Sequence, residues 1–258
     1  MAYNKVILGG FVADEPRFLM NSGHGDCLEV LLKIKRKELG KDEFISVVLI
    51  RDNLVSEGLQ SIEVGDYMFV SNGRIITTNY NKVSEIVCPH CQDVDYQTVK
   101  GEKTEVEVKE FQLLKKEMFV EEADIPCINK VFLIGNVCSD LNYRPSDARS
   151  NRDYMKYKLA VDRPGLFGEG VQTGDFPFIV SFHKDAHIAN QFMEKSDLVF
   201  VEGAIQQRTI RQKHEVNCPI CHQSSIIKID SIVREIITSK IEIMKKVDNL
   251  KINKMDEE

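Results

Sequence analysis

Tryptophan is absent from this chain, and aromatic residues of all kinds make up only 8% of it. Any surface that stacks flat rings must therefore be built from phenylalanine and tyrosine. No apolar run approaches the length needed to cross a bilayer. The opening Met1-Ala2-Tyr3-Asn4-Lys5 has no basic stretch leading into an apolar one, so a secretion signal is not expected. A cytoplasmic location, with no membrane partner, is the expectation. Catalytic signatures are missing too: there is no phosphate loop, no G-x-S-x-G and no H-E-x-x-H. The scattered Asp and Glu residues form no recognisable acid-base pair, which points away from an enzyme. Seven cysteines in a cytosolic chain do not form a disulfide framework, so they need another reason.

What is present suits a soluble globular protein. Apolar residues make up 43% and charged residues 29% of 258 positions, enough for two domains of ordinary size. The net charge of −6 argues weakly against a nucleic-acid partner, because phosphate binding needs only a local basic groove. Acidic residues gather at Glu102 to Glu110, Glu117 to Asp124 and Asp256-Glu257-Glu258. Basic ones cluster at Lys33-Lys35-Arg36-Lys37, Lys156-Lys158-Arg163 and Arg208-Arg211-Lys213.

The chain repeats itself. Asn4-Lys5-Val6-Ile7-Leu8-Gly9-Gly10-Phe11-Val12 recurs as Asn129-Lys130-Val131-Phe132-Leu133-Ile134-Gly135-Asn136-Val137. Gly73-Arg74-Ile75 answers Gly203-Ala204-Ile205, and Cys88-Pro89-His90-Cys91 answers Cys218-Pro219-Ile220-Cys221. Matches in the same order with a slowly drifting offset mark a duplication, with one domain over 1–123 and a second over 124–258.

Each copy reads as strands. Short β-prone runs occur at Val6 to Leu8, Leu28 to Ile34 and Phe44 to Ile50, and again at Val131 to Ile134, Met155 to Val161 and Phe176 to Phe182. Helical segments follow at Asn53 to Ser61 and Asp185 to Met193. A fourth strand, Tyr67 to Val70 or Leu198 to Val201, leads into a long hairpin that carries the cysteines. A last strand, Thr104 to Leu114 or Ile226 to Ile237, closes the copy. Five strands with a helix between the third and fourth is the order of an OB-fold, so two tandem five-stranded Greek-key barrels are expected, all-β with short helices.

These residues resemble the bacterial and phage single-stranded DNA-binding proteins. Asn-Lys-Val-x-Leu-x-Gly is how that domain opens. In the second copy, Tyr157 to Arg163, Asp175 to Lys184 and Asp197 to Thr209 look like its second, third and fourth strands. The first copy matches mainly at 4–18 and 42–80. The resemblance implies a protein that coats and protects single-stranded DNA, largely without sequence preference, in replication, recombination and repair. It leaves open RNA as a ligand, replication or recombination proteins as partners, and a homo-oligomeric assembly. Fusion of two domains, the C-x-x-C hairpins and a short tail, Lys251 to Glu258, without the family's aromatic end suggest a phage or mobile-element variant.

Binding single strands needs flat rings for bases and cations for phosphates. The resemblance assigns the stacking positions to Phe44 and Tyr80 in the first copy and to Phe176 and Phe182 in the second. Ile50 and Ile210 stand at the places that answer Phe182 and Tyr80, so each copy keeps part of a platform. Lys35, Arg36, Arg74, Lys158, Arg163, Arg208 and Arg211 are the phosphate candidates. The competing reading makes the aromatics barrel core and the cations ordinary surface charge. A zinc-stabilised protein–protein adaptor with no nucleic-acid binding is the alternative function, which the acidic balance permits.

Cysteines at C-x-x-C spacing form a tight knuckle in which two thiolates grip one ion. Each knuckle supplies two ligands, whereas structural zinc takes four. Cys88, Cys91, Cys218 and Cys221 could share one Zn2+, within a chain or between chains. Alternatively, each pair could recruit a histidine such as His90, His214 or His222. The shared four-thiolate site is preferred, because matching positions in two repeats lie naturally about a pseudo-twofold axis. Redox chemistry usually places such a pair before a helix in a βαβ unit, which is absent here. Cys27, Cys127 and Cys138 read as small core residues.

Overall fold

The computed structural model describes residues 3–22, 25–36, 41–92, 94–119, 125–146, 152–163 and 173–245. The domain boundary expected at 123/124 and the tail from Lys251 lie outside them. The first half runs β1 (Tyr3–Val12), β2 (Arg17–Ser22), β3 (Gly25–Arg36), β4 (Lys41–Leu49), α1 (Asp52–Ser61), β5 (Tyr67–Val87) and β6 (Val94–Leu114). The second runs β7 (Ile128–Val137), β8 (Asn142–Arg144), β9 (Tyr154–Asp162), β10 (Gly174–Asp175), β11 (Phe178–Phe182), α2 (His183–Phe192), β12 (Leu198–Asn217) and β13 (Ser224–Lys245).

Both halves close in the same way. In the first, β1 pairs with β3 and β5, β5 with β6, β6 in parallel with β4, and β4 with β3. In the second, β7, β12, β13, β11 and β9 make the corresponding ring, with β11 and β13 parallel. Five strands, one parallel pairing and a helix after the third main strand define the OB barrel. Closure forces backbones together at Gly10 and Gly135. A Cβ on Gly10 would sit 2.7 Å from the Lys33 carbonyl oxygen, and one on Gly135 would sit 2.3 Å from that of Ala160. Only glycine allows that approach.

The sequence pattern misses one break. The strand expected over Phe176 to Phe182 begins at Phe178, because Pro177 has no N–H to give a ladder. The preceding residues turn away as β10, which pairs with the far end of β9.

The halves are joined by β1 and β7, which run antiparallel with Val6 opposite Val131. These two valines are each other's repeat counterparts, so a pseudo-twofold axis passes between them. Both are fully buried in one continuous apolar cluster that includes Leu8, Leu28 and Ile45 from the first half and Leu133, Leu159 and Ile179 from the second. Burying such a side chain contributes about 1.5–3 kcal/mol, so the shared core makes the halves interdependent.

Duplicated polar devices hold each barrel. Asn4 donates to the Ile75 carbonyl (2.8 Å) and accepts from its N–H (2.8 Å), and Asn129 makes the same pair of bonds with Ile205. Buried Asp66 and Asp197 each accept the N–H three residues back, from Glu63 and Glu194. Burial raises the Asp66 pKa, but Lys115 and the N–H groups of Lys116 and Glu63 outweigh it and hold the carboxyl below its usual value.

Candidate nucleic-acid surface and cysteine centre

The long hairpins β5–β6 and β12–β13 extend beyond the barrels and end in the two knuckles. In each knuckle the first cysteine's carbonyl accepts a 3.0 Å bond from the N–H four residues on, Gln92 to Cys88 and His222 to Cys218. Gln92 and His222 adopt left-handed backbone, with φ of 61° and 55°, which folds each turn back on itself. Backbone N–H groups of Cys91 and His90 point at the Cys88 sulfur and lower its pKa to about 6.

The hairpins meet at their tips. Cys88 Sγ lies 3.7 Å from Cys221 Sγ, and Cys91 Sγ lies 3.6 Å from Cys218 Sγ. All four sulfurs fall within 4.8 Å of one another. Sulfurs on a tetrahedron around zinc, with Zn–S about 2.3 Å, stand about 3.8 Å apart. The cluster is therefore compatible with a tetrahedral thiophilic ion, and it draws its ligands from both repeats. No histidine belongs to it among the described residues. The three other cysteines divide: Cys27 is in the core, while Cys127 and Cys138 are half-buried.

The expected aromatics are solvent-accessible. Phe44 on β4 is 40% exposed, Tyr80 on β5 is 40% exposed and Phe176 is 37% exposed. Tyr80 lies across the hairpin over Gly101, where a Cβ would meet its ring at 2.4 Å. Phe182 ends β11, with the Arg152 guanidinium 4.3 Å above its ring and the Tyr154 ring 5.7 Å away.

The expected cations are mostly engaged within the protein. Arg74 pairs with Glu107, Lys158 with Glu102, Arg208 with Glu235 and Arg211 with Asp230. Arg163 is the most deeply committed: its side chain is 11% exposed and pairs with Asp175, which is 0% exposed. It also donates to the Thr77 carbonyl at 3.2 Å. Since Asp175 accepts the Thr77 N–H at 2.7 Å, this knot ties the first hairpin to the second barrel. The reverse crossing is made by Glu43, which accepts the Gln207 N–H at 3.2 Å. Lys35 sits on β3 opposite Asp42, and the side chain of Arg36 lies outside the described residues.

Arg144, Arg152, Tyr154 and Lys156, which sequence reasoning did not select, complete the surface beside Phe182 and Arg208. A groove of about 720 Å³ in the second half is lined by Arg144, Arg152, Tyr154, Lys156, Phe182 and Arg208, among others. Beside it, the ammonium groups of Lys156 and Lys158 lie 3.9 and 4.6 Å from the Phe178 ring. Tyr154, Lys156 and Lys158 alternate along β9, and that period-2 spacing was the available signal for a shared face.

The fold and the cluster define the class: a chain of two joined OB barrels clasped by four cysteines. Residues 128–222 match the Single-strand binding protein family. The chain is 29% identical over 86 residues to a protein named Single-stranded DNA-binding protein 1 from Staphylococcus aureus, covering 33% of this chain and 54% of that one. It is 34% identical over 83 residues to Single-stranded DNA-binding protein 3 from Listeria innocua, covering 31% and 49%. The chain thus spans about half the length of the curated relatives it matches. The wild-type single-stranded DNA binding protein from Thermus aquaticus superposes with a TM-score of 0.62 at 16% identity over 95% of each chain, so the likeness of fold extends through both halves. This is an OB-fold protein like those of the single-strand binding protein family.

Proposed function

We propose that the chain binds single-stranded DNA, largely without regard to sequence, and protects it during replication, recombination or repair. The observation that carries this reading is the second-half groove, where guanidinium and ammonium groups lie beside aromatic rings. Stacked bases contribute about 1–3 kcal/mol each, and rings of any base suffice, so sequence need not matter. Phe176, Phe182, Tyr80 and Phe44 are proposed to stack bases. Lys35, Arg36, Lys158, Arg208 and Arg211 are proposed to meet phosphates, with Arg74 and Arg163 less available because their own side chains are mostly buried. The protein acts by binding rather than by catalysis, in the cytoplasm, with other strand-processing proteins as its partners.

We further propose Zn2+ as the ion at Cys88, Cys91, Cys218 and Cys221, since four thiolates gathered within reach of one ion suit zinc. Its role is structural, fixing the hairpin tips.

Fluorescence anisotropy with labelled oligo-dT tests the reading. Micromolar or tighter binding that weakens as salt rises supports it, with duplex and RNA competitors setting the preference. The internal pairing of most candidate cations favours one rival, a zinc-stabilised protein adaptor. Absence of binding at low salt would decide for that rival.

A further inference from the structure

Duplicated barrels suggest duplicated binding surfaces, and the strand registers allow the two to be compared position by position. Lys156 stands opposite Val180 on the neighbouring strand, and in the first half Glu29 stands opposite Val48. By the same registers Phe182 opposite Tyr154 answers Ile50 beside Cys27. Arg208, opposite Val233, answers Thr78, opposite Lys103. Glu235, opposite Gln206, answers Glu105, opposite Ile76.

The chemistry of the groove is not repeated. Where the second half stacks Arg152 on Phe182 beside Tyr154, the first half has Ile50 and Cys27, neither of which offers a π-face to a base. The charge differs as well. In the second half Arg144, Arg152, Lys156 and Arg208 share the groove with one buried carboxylate, Glu235, which is divided between Lys156 and Arg208 and leaves an excess of positive charge. On the corresponding face of the first half three buried carboxylates, Glu29, Glu105 and Glu107, take up Arg17, Lys103, Arg74 and Lys109. Cations held by that many carboxylates have little charge left for a phosphate.

We infer that the two barrel grooves have diverged: the groove of the second half seats the nucleic-acid strand, and its counterpart in the first half does not. The first half contributes through its hairpin and through the far end of its β3–β4 pair, where Lys35, Arg36 and Phe44 lie away from Glu29. Its β6 residue Glu102 is paired with Lys158 of β9, so this arm borders the second half's binding face and carries Tyr80 to that side. The duplication thus serves one composite surface, built from the second barrel with the arm and the far β3–β4 end of the first.

This inference rests on the single-strand-binding reading, and one set of measurements separates the two. Titration of the full chain with oligo-dT of about 12 nucleotides, within the span one OB fold covers, should saturate at one oligonucleotide per chain. Phe182→Ala and Arg152→Ala should each weaken binding about tenfold, in line with loss of a stacked base. Ile50→Ala, at the counterpart position, should change it less than about twofold, the effect of a position that holds no base. Photo-cross-linking of halogenated oligo-dU should label the peptide carrying Tyr80 and peptides from residues 152–163 and 173–217, with none from 27–31 or 46–50, the groove segments of the first barrel. Two oligonucleotides bound per chain with equal affinity, or equal labelling of both barrels, overturns the divergence and leaves the function standing. No binding at any salt overturns both.

Discussion

Single side chains with no freedom to move give the clearest expectations. Arg163 neutralises the fully buried Asp175 while holding the Thr77 carbonyl. Arg163→Ala would strand a carboxylate away from water, which costs about 3 kcal/mol in comparable buried pairs. Urea denaturation should register that loss, whereas Arg211→Ala, at an exposed pair, should shift stability by less than about 1 kcal/mol. Ser196 holds a φ of 77° where its repeat counterpart Gly65 holds 92°. An L-residue is strained in that region, so Ser196→Gly should stabilise the protein by about 1 kcal/mol, and Gly65→Ala should destabilise it by a similar amount.

The pH dependence follows from the same scale. Burial raises the pKa of Glu107, but Lys109 and Arg74 more than offset it; for Glu235 the opposing groups are Arg208 and Lys156. Both carboxyls, with Asp66, end below their usual values. A carboxyl whose folded pKa is depressed contributes stability above its unfolded pKa, about 4, and loses it as pH falls through the folded value. The urea midpoint should therefore hold from neutral pH to about pH 5 and drop steeply below about pH 4. A flat profile down to pH 3 would mean these pairs are not formed in solution.

Among elements, the hairpins depend on their clasp. Beyond the barrels the outer parts of these strands pair with each other alone among the described ladders, so the four sulfurs at their tips are placed to order them. Purified protein should contain one zinc per chain by elemental analysis. Cys218→Ser, or a strong chelator, should reduce that content and open both tips to limited proteolysis, because each hairpin supplies half the ligands. Loss of protection in only one hairpin would contradict a shared site. The clasp was readable in sequence because a C-x-x-C knuckle is a local motif and the duplication brings its two copies into relation. The five strands and the helix were readable for a similar reason, since apolar runs and turn residues act over short distances. The groove was not. Arg208 finds Glu235 27 residues on, and Lys158 finds Glu102 56 residues back, so the fate of each cation depends on a register no single segment contains. Pro177 is the opposite case: its missing N–H was visible, but a run of Phe, Ile and Val around it reads as an unbroken strand.

Over the whole molecule, the balance of charge predicts how binding will respond to salt. A protein of net charge −6 gains no general attraction for a polyanion, so its affinity must come from the local surface. If all seven candidate cations met phosphates, counterion release from a single strand would give a log–log salt slope of about −5. Five of the seven are held by carboxylates of the same chain: Arg74, Lys158, Arg163, Arg208 and Arg211. Taking a phosphate would mean exchanging one anion for another with little net release of ions. The same holds for the groove, where Glu235 holds both Lys156 and Arg208, so the slope should be much shallower, about −3 or less steep. Stacking is nearly indifferent to salt, so a substantial affinity should persist at high ionic strength. Anisotropy titrations between about 50 and 200 mM salt measure this directly. A slope near −5 would show that the ion pairs open to admit the strand, and the acidic partners would then be competitors for the DNA rather than fixed supports of the fold.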